Sequence, residues 1–302
     1  MFNRLIVSII PLMPKKLIWF FGKKYISGLK LSDAIQTTKD FAKLGGGTTI
    51  DVLGEFVTER ERAIKERDAS MVVLDTIKKE NLPSYLSIKP TSNGLGIDAE
   101  FGYENIKMIV AKAKELGLFC RIDMENSPYT EATVALYRRL LEEGFTNVGI
   151  VLQAYLKRTE SDIRSLLELK PNIRLCKGIY VESASIAYKD KEEIRDNYKK
   201  LLDLLLENIP NGAFPAIATH DEDLLQYAEK RIKELNLSKD KYSFEMLLGV
   251  REERRNKLLE DGHNVTIYVP FGEDWYGYSI RRMKENPEVA MHVFKAIFGI
   301  GK

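Results

Sequence analysis

Cysteine and histidine are scarce in this chain, with two cysteines (Cys120 and Cys176) and three histidines in 302 residues. Both thiols sit inside apolar, strand-like runs, which reads as buried reduced cysteine and not as a disulfide framework. The scattered histidines supply no metal-ligand spacing. An excess of one charge is also missing. Lys and Arg total 46 against 44 Asp and Glu, a formal net charge of +2, and without a basic run nucleic acid is not an expected partner. Pro11 and Pro14 interrupt the one long apolar stretch, Met1 to Tyr25, and leave it too short to span a bilayer. No small-residue cleavage site follows, which argues against a signal peptide. No Gly-x-Gly-x-x-Gly turn follows a strand, and the Gly45-Gly46-Gly47 run precedes one, so it makes a poor phosphate loop. There is no Ser-His-Asp set, and no carboxylate pair stands out for glycoside chemistry.

What is present describes a globular α/β protein, 44% apolar and 30% charged. The first 25 residues mix Leu, Ile, Trp and Phe with Arg4, Lys15, Lys16, Lys23 and Lys24. Such a segment suits an anionic membrane surface, or else a helix packed on the main domain. From residue 47 onward the chain alternates β-branched or apolar runs with charged stretches of helical period. The strand candidates are Thr48–Leu53, Tyr85–Ile88, Leu118–Ile122, Asn147–Leu152, Ile173–Cys176, Phe214–Ala218, Tyr242–Leu247 and Val265–Val269. The helix candidates after them are Glu59–Glu80, Tyr103–Leu116, Glu131–Glu143, Glu160–Leu169, Lys191–Asn208, Asp221–Leu235, Glu252–Glu260 and Asp274–Glu285. Eight strand–helix pairs with short connections predict a (βα)8 barrel over residues 46–302, with residues 1–45 as an N-terminal helical extension. A doubly wound open sheet is the alternative.

In such a barrel the strands' C-terminal ends form the site, and here they carry many polar groups. They are Asp51 and Glu55, Lys89, Asp123 and Glu125, Gln153 and Tyr155, Arg174, Lys177 and Tyr180, Thr219 and His220, Glu245, and Tyr268. Each alone has a structural explanation, such as an Asp51–Lys89 ion pair or a helix cap at His220. Together they converge on one cavity, and buried charges need partners or a ligand. Past the last strand, Tyr278 and the adjacent Arg281 and Arg282 sit on one helix. Paired guanidinium forks suit a small carboxylate, and Tyr278 shares a helical face with Arg282. The cations on strands 2 and 5 and on the last helix suit an anionic cofactor beside a carboxylate substrate.

Seven motifs occur in order: Ser87-Ile88-Lys89-Pro90, Arg121-Ile122-Asp123-Met124-Glu125, Gln153-Ala154-Tyr155, Arg174-Leu175-Cys176-Lys177-Gly178, Ala218-Thr219-His220, Phe244-Glu245-Met246-Leu247 and Tyr278-Ser279-Ile280-Arg281-Arg282. With them the chain resembles the monofunctional bacterial proline dehydrogenases from about Gly47 to Asn286. That resemblance implies a distorted TIM-like (βα)8 barrel that binds FAD noncovalently, oxidises L-proline to Δ1-pyrroline-5-carboxylate and passes electrons to a membrane quinone. By the same resemblance Arg281 and Arg282 grip the proline carboxylate with Lys89 in support. Tyr278, Tyr180 and Leu247 surround the ring, Glu55 pairs with Arg281 as a gate, and Asp123 is the acidic active-site residue. Arg174 is implied near flavin N5, Gln153 at the pyrimidine edge and Met124 against the ring. Lys177, Gly178, Ile179, Thr219 and His220 are implied on the ribityl-pyrophosphate side, and Glu285 at the adenosine end. The family commonly has Ala where Ile179 stands and Val where Cys176 stands; the first change bears on cofactor packing. A separate pyrroline-5-carboxylate dehydrogenase is the expected partner for the next step, and the expected location is cytoplasmic, peripheral on the inner face of the cell membrane through residues 1–25. Alternatives are a flavin-dependent dehydrogenase of hydroxyproline or a related cyclic imino acid, and a non-catalytic binding barrel.

Overall fold

The computed structural model describes residues 14–285. Eight parallel strands close on themselves in chain order. They are β1 (Gly47–Val52), β2 (Ser84–Ile88), β3 (Cys120–Ile122), β4 (Val148–Gln153), β5 (Asn172–Cys176), β6 (Phe214–Ala218), β7 (Ser243–Leu247) and β8 (Val265–Phe271). The closing seam pairs Gly47 with Thr266 through to Val52 with Phe271. The fold is therefore the closed barrel and not the open sheet. Both faces of each strand are covered, which is why the strands read as unbroken apolar runs instead of alternating ones.

Among the described residues two helices precede the barrel, α1 (Lys15–Gly22) and α2 (Leu31–Ala42). Seven lie between strands: α3 (Arg60–Lys79), α4 (Ala99–Leu116), α5 (Ser127–Glu142), α6 (Thr159–Leu166), α7 (Lys191–Glu207), α8 (Glu222–Glu234) and α9 (Glu252–Glu260), and α10 (Trp275–Glu285) follows β8. On α7 the buried stripe is Tyr198, Leu201, Leu202, Leu205 and Leu206, one face of a 3.6-residue period. Each such residue contributes about 1.5–3 kcal/mol by leaving water. Caps set the helix starts. Asp98 accepts from Phe101 N at 2.7 Å, so α4 begins a turn earlier than its charged stretch suggests.

The helix after β8 leaves the outer ring. α10 packs against α1, where the Trp19 and Trp275 rings meet edge to face at 4.8 Å. α2 instead covers β8 and β1, and the Thr38 hydroxyl lies 2.9 Å from that of Thr48. Between α1 and α2 the chain runs beside the end of β8, with Ser27 N donating to Pro270 O at 3.0 Å and Gly272 N to Gly28 O at 3.1 Å. With its own ring position taken, α10 lies over the strands' C-terminal ends and turns Tyr278, Arg281 and Arg282 into the barrel mouth.

Candidate active site

Below the mouth the interior holds three cations, Lys89, Arg121 and Arg174, and three carboxylates, Asp51, Asp123 and Glu245, nearly all shut from solvent. Lys89 Nζ is paired with Asp51, lies 4.0 Å from Asp123 and donates to Tyr268 OH at 3.2 Å. Arg174 spans the barrel: Nη1 meets Asp123 at 3.0 Å, Nη2 donates to Tyr85 OH at 3.2 Å, and Nε is bonded to Glu245. Tyr85 OH donates back to Glu245 at 2.7 Å. Deeper still, Arg121 lies 3.6 Å from Glu245 and donates to Asn172 O at 3.0 Å. Its guanidinium needs glycine at 149, because a Cβ there would stand 2.2 Å from Nη1. Mutual pairing is what makes this many buried charges tolerable.

The electrostatics follow the packing. Burial pushes the Asp51 carboxyl up to about 6 against the pull of Lys89, still on the ionised side of neutrality. Burial works against the Lys89 ammonium, yet Asp51 and Asp123 together carry its pKa above the usual lysine range. Tyr85 is pushed up to about 12, first by burial and then by Glu245. Asp123 receives Ser87 Oγ at 2.8 Å and Arg174 on Oδ1, and Tyr268 OH at 2.8 Å on Oδ2. With donors on both oxygens it serves as an anchor for its neighbours.

Above this layer opens a cavity of about 660 Å3. Arg281 on α10 crosses its mouth to Glu55, in the loop after β1, as a two-pronged ion pair with Nη1 to Oε2 at 2.7 Å. Tyr278 is buried beside it and Arg282 also lines the cavity. The opposite wall comes from the ends of β5 and β6. Lys177 meets Asp221 at 2.9 Å, and Asp221 also takes Arg195 Nε at 2.9 Å. His220 Nε2 accepts from Leu247 N at 3.0 Å, which leaves the proton on Nδ1, a buried atom with no hydrogen-bond partner. Burial, helped by Arg282, Arg251 and Lys177, holds the His220 pKa down to about 3, so the ring is neutral. Gly178 has φ +105, and a Cβ there would strike the Tyr155 ring at 2.2 Å. That wall therefore combines cations, an unpaired imidazole donor and a close backbone approach, features that suit a phosphate-bearing ligand.

The cavity brings together Glu55, Lys89, Asp123, Met124, Arg174, Lys177, Gly178, Ile179, Tyr180, Thr219, His220, Leu247, Tyr278, Arg281 and Arg282. Gln153 is not among the lining residues. It is buried, with Nε2 donating to Met124 O at 3.3 Å and Oε1 unpartnered. The Glu285 side chain and residues 1–13 of the basic segment lie outside the described residues. Four participants escape the sequence reading. Tyr85 shares its strand parity with Ser87 and Lys89, so a two-residue period pointed to it. Asp221 follows His220 directly. Arg251, which donates to His220 O at 2.8 Å, and Tyr25, contributed by the segment after α1, carry no local signal. The expected Asp51–Lys89 ion pair is present.

The sequence matches the proline dehydrogenase family over residues 34–294. It is 36% identical over 274 residues to proline dehydrogenase 2 of Bacillus subtilis strain 168, covering 91% of this chain and 89% of that protein. It is 33% identical over 289 residues to the proline dehydrogenase of Deinococcus radiodurans, covering 94% and 92%. Among solved structures, proline utilization A (PutA) from Bdellovibrio bacteriovorus inactivated by N-propargylglycine aligns with a TM-score of 0.85 at 23% identity, over 93% of this chain and 36% of that one. The structural likeness concerns the fold.

Proposed function

The chain belongs to the proline dehydrogenase family, and from that premise we propose that it oxidises L-proline to Δ1-pyrroline-5-carboxylate with FAD. The observation that carries the reading is the cavity itself, in which Arg281 and Arg282 on a lid helix stand over Lys89, Arg174 and Asp123. When bound, FAD supplies the acceptor for a hydride leaving C5 of the ring. Its fit rests on the unpaired His220 Nδ1, on Lys177, and on the bare backbone at Gly178. Met124, Thr219 and Arg174 complete the set we assign to it. Among these, Arg174 is the fixed cation beside which negative charge developing on the acceptor is stabilised.

The chain's own groups hold the substrate. Arg281 and Arg282 bind the carboxylate through bidentate forks. Lys89, charged because Asp51 and Asp123 flank it, adds a third cation. Tyr278, Tyr180 and Leu247 pack on the hydrocarbon ring and exclude water. The Glu55–Arg281 pair closes over the occupied cavity. Fixing the substrate in one orientation is worth several kcal/mol of barrier. Asp123, with donors on both oxygens, keeps Arg174 and Tyr268 in place.

Reoxidation by a membrane quinone fits the N-terminal side of the molecule. Phe20 on α1 is 60% exposed, among exposed Lys15, Lys16, Lys23 and Lys24, a composition suited to an anionic lipid surface. No helix among the described residues is long and apolar enough to cross a membrane.

The test is anaerobic mixing of flavin-loaded protein with L-proline while the oxidised-flavin band is followed. Bleaching by L-proline but not D-proline is expected. Bleaching only by hydroxyproline would move the substrate to that imino acid, and a protein unable to take up FAD would overturn the reading.

A further inference from the structure

The loop after β1 holds Glu55 in place without a helix or strand to brace it, since residues 53–59 adopt no regular structure. Phe56, the next residue, has φ +55, a conformation that costs a side-chain-bearing residue energy. The residue is 43% exposed, so burial does not compensate the strain. The compensation lies in the neighbouring loop after β2. Phe56 N donates to Thr91 Oγ1 at 2.8 Å, and Ser92 Oγ donates to Gly54 O at 2.5 Å. Two consecutive hydroxyls thus grip the peptide groups on either side of Glu55.

These hydroxyls are themselves fixed. Thr91 is fully buried, and its N–H and hydroxyl both donate to the Glu125 carboxylate, at 2.8 Å for the N–H. A Thr91 hydroxyl that gives its proton to Glu125 must receive at its lone pair, so the direction from Phe56 through Thr91 to Glu125 is set. The same loop carries Lys89, whose carbonyl accepts from Asn93 Nδ2 at 2.9 Å.

We propose that Thr91 and Ser92, anchored by Glu125, are positioning residues that hold the Glu55 gate against Arg281 and so set how tightly the cavity retains its substrate. The inference rests on the proline reading of that cavity. Of the five guanidinium donors on Arg281, Glu55 takes two, which leaves an edge for the substrate carboxylate while the gate is shut. Loosening the clamp therefore opens the gate and speeds escape without touching the groups that meet the reacting bond.

The test uses flavin-loaded Thr91→Val, Thr91→Ser and Ser92→Ala proteins in two measurements. Hydrogen–deuterium exchange without substrate should quicken about tenfold across residues 53–59 in Thr91→Val, the loss expected for one buried hydrogen bond, and stay near wild type in Thr91→Ser. In anaerobic flavin reduction the dissociation constant for L-proline should rise about tenfold in Thr91→Val while the limiting rate stays within about twofold. Thr91→Ser should restore it, and Ser92→Ala should weaken binding in the same sense, which keeps the test decisive if the valine protein does not fold. Unchanged exchange at 53–59, or a limiting rate that falls with unchanged affinity, would overturn the clamp. Failure of L-proline to reduce the wild-type flavin would instead count against the substrate reading, and the exchange measurement would still decide the clamp.

Discussion

Replacing Glu245 with glutamine probes the buried charge layer with little change of shape. Its carboxylate takes Arg174 Nε and Tyr85 OH, with Arg121 at 3.6 Å. Glutamine fits the same volume, can accept from Arg174 and can donate to the Tyr85 oxygen. What disappears is one of three interior negative charges, leaving three cations over two carboxylates. Removing one member of a buried pair costs about 3–5 kcal/mol, and the retained hydrogen bonds recover about 1 kcal/mol. The expected loss is about 2–4 kcal/mol, a fall in Tm of roughly 3–6 °C for a chain of this size. Near-UV circular dichroism on flavin-saturated protein reads it. The loss should not diminish in high salt, because the pair is buried. A Glu245→Gln protein melting within about 1 °C of wild type would refute the reasoning, since it would mean that water already screens these charges.

Arg281→Met should raise the dissociation constant for L-proline on the order of a hundredfold, the loss of a charge-assisted bidentate contact, as read from the concentration dependence of flavin reduction. Burial pushes the Glu125 carboxyl up to about 7, above the usual carboxylate range, against the Thr91 hydrogen bonds, with Glu55 adding to the rise and Lys89 opposing it. The folded protein then holds that proton more tightly than the unfolded chain, so stability is full below about pH 4.5 and is lost as pH rises to about 7. Glu125→Gln should flatten that part of a plot of Tm against pH. Gly178→Ala, which needs φ +105 and meets Tyr155 at 2.2 Å, should cost about 2–3 kcal/mol and reduce the flavin retained through gel filtration.

The barrel was legible because parallel strands buried on both faces leave plain marks. All eight runs fell within a few residues of the observed strands, and the errors sat at helix starts. At α5, for instance, the helix begins at Ser127 and Pro128 ahead of the charged residues. Strand-end chemistry was legible too, because closure forces the ends of all strands to one mouth. Where each helix packs was not. Periodicity marks α10 as a helix with one apolar face but cannot say that this face meets α1 and not the barrel wall. Tyr25 reaches the cavity only as a result of that arrangement. Arg251 starts α9 with φ +46, a backbone choice fixed by its contacts with His220 O and Glu222, which no local pattern announces.

The exchange of helices also orders events during synthesis. The helix that seals the barrel seam is made before any strand of the barrel, and it waits for a strand that emerges more than two hundred residues later. The arginine pair comes after that strand. A chain released early, just past β8, has every partner for its barrel wall and seam, yet lacks both the lid helix and the arginine pair on it. The groups we assign to substrate thus arrive only after the barrel wall is complete, and a product cut short at β8 lacks them.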